Sequence, residues 1–581
     1  MEINYTTQKN ILILISLLKE HGIKKIVASP GTNNMPFVAS IQNDCYFEIY
    51  SSVDERSAAY IACGLAAESG EAVVITCTGA TASRNYMSGL TEAFYRKLPI
   101  LAVTATRDIA LVGQNMPQSI DRRVIPNDIA KKSVHVPELH TEQEERNYTV
   151  LINDALLELK RHGGGPVHIN LTVSYGRDFS IKTLPKVSVI KRIYSEDVFP
   201  TIPQGNVAIY VGAHKKWNEK LIKYIDEFCE KYNAVVFADH IANYNGKYKI
   251  MPNIVIYQKS YHPDICNVDL MIYIGDIIGT DFQNIVSKQV WRVNPDGEVR
   301  NTFGKLSYVF EMNEDTFFEK YCERTSTVLE TSYYKMWKSQ CAFLRERVPE
   351  LPFSNIWVAQ QTLPCLPKHV VIHFGIQNSL RCWNFFESNN ELFGYCNTGG
   401  FGIDGCVSTL IGASLSNPEK VYYGVVGDLA FFYDMNVLGN RHVGNNVRLI
   451  VINNGRGQQF RNPGSAGEQF GDDADKFIAA AGHYGNQSKE LLKHLAVDLG
   501  FEYIVATDKE SYLQNQKRFL SEDKKSIIFE VFTKTSDESE AMRIMKSLHE
   551  EVSFKESAKQ VINKVAGEQG VELVRKFLKK M

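Results

Sequence analysis

Residues 421–460 read VYYGVVGDLAFFYDMNVLGNRHVGNNVRLIVINNGRGQQF, and this stretch decides the fold. Two apolar runs, VYYGVV and VRLIVI, have the length and composition of buried strands, and residues 434–441 are long enough for a short helix between them. A strand–helix–strand crossover makes the two strands parallel. The pattern therefore predicts an α/β fold in which the polar ends of both strands emerge at one edge of a sheet.

A polar residue stands at the end of each strand: Asp428 after the first and Asn454 after the second. Because neighbouring strands lie about 4.8 Å apart, these two side chains can share one ion. Carboxylate and amide oxygens suit Mg²⁺ or Ca²⁺ better than zinc. A strand-end acid without any partner is the simpler alternative, but the glycines of the following Gly-Arg-Gly favour close approach of a ligand.

A second informative segment spans residues 27–107. Glu55 follows the strand-like FEIYSSV and opens the helix DERSAAYIACGLAAESG, which ends at Gly70. Taken alone, Asp54-Glu55 is typical of charges at a helix N-terminus, where the helix dipole favours acids. The same segment also contains the turns Ser29-Pro30-Gly31 and Cys77-Thr78-Gly79, so its polar features occur as a set.

Together the two segments resemble the thiamine-diphosphate-dependent 2-oxo acid decarboxylases and carboligases, in which Gly-Asp followed by Asn-Asn holds the diphosphate and the metal. Leu429, where most members have glycine, and the stretch Tyr433-Asp434-Met435-Asn436 are similar to the menaquinone-pathway branch (MenD). The resemblance covers roughly residues 5–535 and implies thiamine diphosphate and Mg²⁺ as cofactors.

The resemblance also implies roles for single residues. Glu55 would bind the aminopyrimidine ring nitrogen, since a carboxyl in an apolar site has a raised pKa and can share a proton. Gln118, in GQNMPQSIDRR, would contact the substrate-derived adduct, and Ile403 would wedge between the cofactor rings and bring the reacting atoms together. A surface loop at Gln118 and a core position for Ile403 are the alternatives. The implied metal ligands are Asp428, Asn454 and the backbone carbonyl near Arg456. The other implied catalytic or cofactor-binding residues are Gly31, Thr78, Arg107 (a surface charge in the alternative), Asn378, Ser379, Gly402, Leu429 and Phe460.

The chain departs from the menaquinone branch where that branch presents arginines to its substrates. Asn33, Thr398 and Trp383 stand at or near three such positions, although Arg381 is close enough to substitute at the third. Gln459 replaces the apolar residue before Phe460. Losing guanidiniums that bind carboxylates in a bidentate manner weakens binding of the menaquinone substrates, so the resemblance implies the chemistry and not those substrates.

The implied reaction is decarboxylation of a 2-oxo acid, with transfer of the acyl-anion equivalent to an aldehyde, ketone or enone acceptor. One alternative is simple decarboxylation or cleavage of a 2-hydroxyacyl substrate without carboligation. A less favoured alternative is a non-catalytic cofactor-binding subunit. The resemblance further implies a homodimer or homotetramer with active sites at the subunit interface.

Alternation of helix and strand patterns predicts three doubly wound parallel-sheet domains. The predicted parts are a pyrimidine-binding domain (1–180), a linker (181–200), a central Rossmann-like domain (201–345), a diphosphate-binding domain (352–535) and a helical C-terminal extension (536–581). In the central domain, the turns at Gly212 and Gly275 do not complete a G-x-G-x-x-G motif, so a bound dinucleotide is not expected.

Composition narrows the class of partner. The 581 residues include 64 basic and 66 acidic side chains, so the net charge of −2 gives no strong attraction to nucleic acid or anionic membranes. Eleven cysteines without a C-x-x-C motif suit a reducing compartment. Residues 11–18 are typical of an amphipathic first helix rather than a signal peptide. We therefore expect a cytoplasmic enzyme with small-molecule substrates.

Overall fold

The computed structural model describes residues 3–279, 282, 284–388, 391–483, 487–521 and 523–550. The chain divides into two compact units, the first made of Met1–Pro200 with Gln289–Asn313 and the second of the remainder. The strands form three all-parallel sheets with helices between them, which confirms the predicted α/β class. Within the described ranges, no helix is both long enough and apolar enough to cross a membrane.

The first unit contains a six-stranded sheet. Its strands, in chain order, are Lys25–Ala28, Glu48–Ser51, Val73–Cys77, Ile100–Thr106, Lys132–Val136 and Val167–Thr172. From one edge of the sheet to the other, the spatial order of these strands, numbered by their order in the chain, is second, first, third, fourth, sixth, fifth. Central strands such as Val73–Cys77 are buried throughout because helices cover both faces. These helices are Lys9–Glu20, Met35–Ile41, Glu55–Ser69, Thr81–Asn85, Met87–Tyr95 and Glu142–Glu158.

The first unit also contains strands from outside residues 1–180. Strand Leu306–Phe310 pairs in parallel with residues 290–293 on one side and with Lys191–Ile193 on the other. Residues 181–200, predicted as a linker, therefore include a strand. Its three residues are too few to show strand periodicity in the sequence.

The second unit begins with a parallel group of four strands, in the spatial order Lys249–Ile250, Ala234–Ala238, Val207–Val211 and Asn267–Ile274. Strand Val286–Val293 follows these in the chain and crosses the boundary between the units. The helices of this part are Glu219–Tyr232, Asn253–Ile256, Glu314–Glu323 and Ser332–Arg345. The side chain of Asn218 accepts the Leu221 N–H and caps the first turn of the helix Glu219–Tyr232.

The last sheet, also in the second unit, has six strands: Val370–Phe374, Leu392–Cys396, Tyr422–Gly427, Val447–Asn453, Glu502–Ala506 and Ile527–Phe532. Their spatial order is again second, first, third, fourth, sixth, fifth, so this sheet has the same topology as the first. The surrounding helices are Asn355–Thr362, Asn378–Trp383, Cys406–Ser416, Asp428–Asp434, Ala474–Phe477, Leu491–Asp498, Lys509–Phe519 and Thr535–Met545.

The crossover helix in residues 421–460 begins earlier than predicted. It spans Asp428–Asp434 and continues as a 3-10 helix over Met435–Gly439, so the predicted start at residue 434 was wrong. Phe431 and Phe432 resemble a continuing strand in the sequence, but here they pack as helical residues into the apolar cluster beside the sheet. The carboxylate of Asp434 accepts the backbone N–H and the hydroxyl of Ser408, both at 2.5 Å, which ties this helix to Cys406–Ser416.

The start of the predicted C-terminal extension is a helix, Thr535–Met545, that packs on Asn355–Thr362. Buried Glu538 accepts the N–H of Asn355 at 3.0 Å and the hydroxyl of Thr533 at 2.7 Å. The rest of the predicted extension, residues 551–581, lies outside the described residues.

Candidate functional site

Both six-stranded sheets change winding direction between their first and third strands. In open parallel sheets, ligands bind at the carboxyl ends of the strands beside such a switch point. In the first sheet Gly31 follows the first strand and Thr78 follows the third. A Cβ added to Gly31 would lie 2.6 Å from the Cβ of Thr78, which is closer than two such atoms can approach. The structure therefore brings these two predicted residues together, and only glycine fits at position 31.

Glu55 is the first residue of the helix Glu55–Ser69, as predicted. Asp54 caps this helix, because its Oδ1 accepts the N–H groups of Arg56 at 2.9 Å and of Ser57 at 3.3 Å. The carboxylate of Glu55 has no role in that cap. It is half-exposed in the single chain, and its Oε2 accepts the side-chain amide of Asn85 at 3.0 Å. Asn85 could not be identified from the sequence, because only the packing of helix on helix brings it to Glu55.

Gln118 lies in the loop that follows the fourth strand of the first sheet. Its φ is 62°, a left-handed conformation that is uncommon for residues other than glycine. The carbonyl of Gln118 lies 3.6 Å from where a Cβ on Gly79 would be, so the loop contacts the turn after Thr78. Arg107 begins the same loop, and its Nη2 donates to the hydroxyl of Tyr175 at 2.8 Å. Tyr175 is a second neighbour that the sequence did not identify.

The second unit places Asp428 and Asn454 as predicted. Strands Tyr422–Gly427 and Val447–Asn453 are parallel neighbours, with Gly427 opposite Ile452. Oδ2 of Asp428 accepts the N–H of Gly455 at 2.9 Å, and Oδ1 of Asn454 accepts the N–H of Arg456 at 3.2 Å. Both strand ends therefore converge at residues 454–456, so the three predicted metal ligands, Asp428, Asn454 and Arg456, lie at the same edge of the sheet.

Asn378 and Ser379 begin the helix after strand Val370–Phe374, which neighbours Tyr422–Gly427. Ser379 is buried, and Oδ1 of Asn378 accepts the side-chain amide of Asn462 at 2.7 Å. The first turn of this helix therefore lies at the same sheet edge as Asp428.

The remaining predicted residues of the second unit surround this edge. Gly402 and Ile403 precede the helix Cys406–Ser416, and half-buried Ile403 packs against the apolar cluster of the sheet. Leu429 is the second residue of the crossover helix. Phe460 ends a 3-10 turn and is 40% exposed. Beside it, Oε1 of Gln459 accepts Nη1 of Arg381 at 2.7 Å.

Comparisons with known proteins identify the family of this chain. Residues 12–124 match the family model described as thiamine pyrophosphate enzyme, N-terminal TPP binding domain. Proteins named 2-succinyl-5-enolpyruvyl-6-hydroxy-3-cyclohexene-1-carboxylate synthase are similar over nearly the whole chain. The protein from Bacteroides fragilis is 31% identical over 94% of this chain and 100% of its own length. The protein from Phocaeicola vulgatus is 32% identical over 93% of this chain and 98% of its own length. The protein from Bacteroides thetaiotaomicron is 30% identical over 95% of this chain and 100% of its own length.

The chain belongs to the MenD branch of the thiamine-diphosphate enzymes. Membership makes it a thiamine-diphosphate-dependent decarboxylating carboligase that works with a divalent metal. Its substrates are small molecules.

The sheet edge that contains Asp428 has the electrostatics of a cation site. Asp428 is 5% exposed, and burial raises its pKa to about 7, although the N–H groups of Leu429 and Gly455 favour the carboxylate. Among the described residues, no lysine, arginine or histidine forms an ion pair with Asp428. A divalent cation held by Asp428, Asn454 and the carbonyl of Arg456 would supply the missing positive charge to an all-oxygen set of ligands.

Ion pairs hold the loop that contains Asn454 and Arg456. Asp475 pairs with Arg456 at 3.2 Å and with Arg461 at 2.6 Å, and Asp472 pairs with Arg461 at 3.3 Å. Because the side chain of Arg456 is paired with Asp475, its backbone carbonyl is the group of this residue that could coordinate a metal.

Proposed function

We propose that this thiamine-diphosphate enzyme, loaded with Mg²⁺, decarboxylates a 2-oxo acid and transfers the acyl-anion equivalent to an aldehyde, ketone or enone. We further propose that its substrate pair differs from the pair used by the synthases it resembles. The observation that carries this is the burial of short polar side chains at the positions of their substrate arginines. Asn33 is 3% exposed and Thr398 is 6% exposed. Neither side chain carries the positive charge that a dicarboxylate requires.

Arg381 supports recognition of at least one carboxylate. Its Nη1 donates to Gln459, directly before Phe460, so a guanidinium lies at the edge of the second unit that also contains Asn378. One hydrogen bond to Gln459 fixes its orientation and leaves further N–H donors on the same planar group. We propose that Arg381 binds the carboxylate of the donor or of the acceptor.

The chain's own residues have distinct roles in this proposal. When bound, thiamine diphosphate supplies the nucleophilic carbon and the electron sink for decarboxylation. Glu55 holds a proton at the ring nitrogen, and Asn85 orients its carboxylate through their 3.0 Å hydrogen bond. Gln118 donates to an oxygen of the bound substrate, with Arg107 at the start of the same loop.

Other residues bind and shape the cofactor. Gly31 and Thr78 line the pyrimidine side, and Asn378 and Ser379 donate to the diphosphate. Ile403, Gly402, Leu429 and Phe460 provide the apolar and close-approach contacts around the rings. Asp428, Asn454 and the carbonyl of Arg456 hold Mg²⁺.

We propose a homodimer, or a dimer of dimers, in which the first unit of one subunit faces the second unit of its partner. Exposed apolar side chains close to Glu55 in sequence support this, because large exposed apolar surfaces often mark protein–protein contacts. Tyr50, Val53, Tyr60 and Ile61 are 41–83% exposed. On the second unit Phe401, Phe460, Phe470 and Phe477 are 40–96% exposed. We retain the predicted division at 1–180, 201–345 and 352–535 as part of this proposal.

A screen of 2-oxo acids tests the function. Enzyme loaded with thiamine diphosphate and Mg²⁺ is assayed for CO₂ release with and without an aldehyde, and products are identified by mass. We expect a ligated product that requires the acceptor, and Arg381→Met should raise the KM of the carboxylate-bearing substrate at least tenfold, while Arg96→Gln, an exposed change, should not. Release of free aldehyde alone would support the simple decarboxylase instead.

A further inference from the structure

Tyr175 lies beside Arg107 at the carboxyl edge of the first sheet. Arg107 is half-buried and directly follows strand Ile100–Thr106, and Tyr175 comes shortly after the neighbouring strand Val167–Thr172. Because these two strands are parallel, the chain leaves both of them at the same edge. Nη2 of Arg107 donates to the hydroxyl of Tyr175 at 2.8 Å, and the guanidinium carbon lies 5.4 Å from the centre of the phenol ring. The phenol therefore holds the guanidinium through a hydrogen bond and a cation–π contact.

The hydrogen-bond partner of Arg107 is neutral, which distinguishes Arg107 from Arg123 in the same loop. Arg123 forms an ion pair with Asp121 at 2.7 Å. In the part of the chain that the structure describes, no acidic side chain forms an ion pair with Arg107. Asp108, which follows Arg107 in sequence, instead caps a turn, because its Oδ1 accepts the N–H of Ala110 at 2.8 Å. The charge of Arg107 is therefore not neutralised by a carboxylate of its own unit.

A phenol and a carboxylate have different effects on a guanidinium. Both fix its orientation, but a carboxylate also cancels its charge, so that an anionic ligand would have to displace it. The hydroxyl of Tyr175 accepts one of the five N–H groups of Arg107 and leaves the positive charge and further donors on the same planar group. An arginine held in this way is suited to binding a carboxylate, which is a group that every 2-oxo acid carries.

Tyr175 is 54% exposed, yet the backbone around it is fixed by the start of the chain. The side-chain amide of Gln8 donates to the carbonyl of Ser174 at 3.1 Å and accepts the N–H of Ser174 at 3.2 Å. The N–H of Thr7 donates to the carbonyl of Asp178 at 3.3 Å. The segment that contains Tyr175 is therefore held on both sides, and the phenol provides a fixed support for Arg107.

We propose that Tyr175 is a positioning residue for Arg107, whose hydroxyl holds the guanidinium in place for the carboxylate of the bound 2-oxo acid without cancelling its charge. The inference rests on the proposed function, in which the loop that runs from Arg107 to Gln118 contacts the substrate. Loss of the hydroxyl keeps the charge of Arg107 but releases its orientation. Substrate binding therefore weakens, while the chemical step is retained.

A double-mutant cycle tests the role of Tyr175 in binding. KM and kcat for CO₂ release are measured with pyruvate and 2-oxoglutarate, which carry one and two carboxylates, in enzyme loaded with thiamine diphosphate and Mg²⁺. Tyr175→Phe should raise KM roughly threefold or more with nearly unchanged kcat. The same change should have no further effect in the Arg107→Met background, because Tyr175 acts through Arg107. Tyr95→Phe, which removes a hydroxyl that donates to Asp128 at 3.2 Å, should leave KM unchanged.

The outcomes of the cycle separate the two proposals. An unchanged KM in Tyr175→Phe, beside a raised KM in Arg107→Met, would overturn the role of Tyr175 and leave the proposed function intact. A rise in KM that persists when Tyr175→Phe is added to Arg107→Met would also overturn it. An unchanged KM in Arg107→Met would contradict the contact between Arg107 and substrate on which both proposals depend.

Chemical modification of Arg107 by phenylglyoxal tests the positioning without any substrate. The rate at Arg107 is followed by peptide mass spectrometry in the wild type, Tyr175→Phe and Tyr95→Phe. Because the hydroxyl of Tyr175 holds the guanidinium, the rate should rise roughly threefold or more in Tyr175→Phe and stay at the wild-type value in Tyr95→Phe. Equal rates in all three proteins would overturn the proposal, whether or not the enzyme decarboxylates either acid.

Discussion

Asp428→Asn, made in the metal-free protein, removes a buried charge while keeping an oxygen that can accept the Gly455 N–H. The pKa of Asp428 is about 7 in the folded chain against an ordinary 3.8, a difference of about 3 units. At 1.36 kcal/mol per unit, this difference corresponds to about 4 kcal/mol. The pKa of Asp428 is higher in the folded chain than in the unfolded chain, so proton binding by Asp428 stabilises the folded chain. This stabilisation is fully present below pH 4 and is lost as the pH rises through 7.

The assay is urea unfolding of wild-type and Asp428→Asn proteins in EDTA between pH 5 and pH 8.5. Titrating groups that do not interact with Asp428 cancel in the difference between the two curves, so the variant should become more stable than the wild type by up to about 4 kcal/mol at pH 8. Adding Mg²⁺ with thiamine diphosphate should reverse the order, because only the carboxylate gains a strong metal bond. The exposed change Asp498→Asn should follow the wild type throughout. Parallel pH curves for Asp428→Asn and wild type would refute the reasoning.

Three further predictions concern the cofactor's first half-site and a second buried acid. Glu55→Gln should lower kcat at least a hundredfold and leave the affinity for thiamine diphosphate nearly unchanged. Glu68→Gln, on the same helix, should leave kcat unchanged. Normal turnover of Glu55→Gln would exclude Glu55 as the activating acid. Gly31→Ala should weaken thiamine-diphosphate binding at least tenfold in a titration, because the added Cβ would meet Thr78. A Cβ added at Gly64 has open space around it, so Gly64→Ala should bind thiamine diphosphate normally. Equal affinities of the two variants would contradict the close packing of the two turns. Burial raises the pKa of Glu538 to about 7. In urea unfolding, Glu538→Gln should therefore gain about 3 kcal/mol of stability relative to wild type as the pH rises from 4.5 through 7. A pH-independent difference between the two proteins would show that Glu538 ionises normally.

The parts of the site that lie at strand ends could be predicted from the sequence. Asp428 and Asn454 follow two apolar runs joined by a short crossover, and parallel pairing then leaves little choice about where they lie. Pattern and spacing therefore carry the information for this pair. The role of Glu55 could be predicted only from the family resemblance, because an acid at a helix N-terminus is common on its own.

The supporting residues could not be predicted in this way. Asn85, Tyr175 and Asn462 contact site residues only because helices and loops distant in sequence pack together. The strand order that the two six-stranded sheets share could not be predicted from the sequence either, because it depends on which strands pair and not on any repeated motif.

Subunit complementation tests the central claim most directly. Glu55→Gln and Asp428→Asn proteins, each inactive alone, are mixed, dissociated and reassembled. If each active site takes Glu55 from one subunit and Asp428 from its partner, a mixed dimer has one site with both residues intact. Random reassembly then restores about a quarter of wild-type activity. A mixture that stays as inactive as its two components would contradict the account.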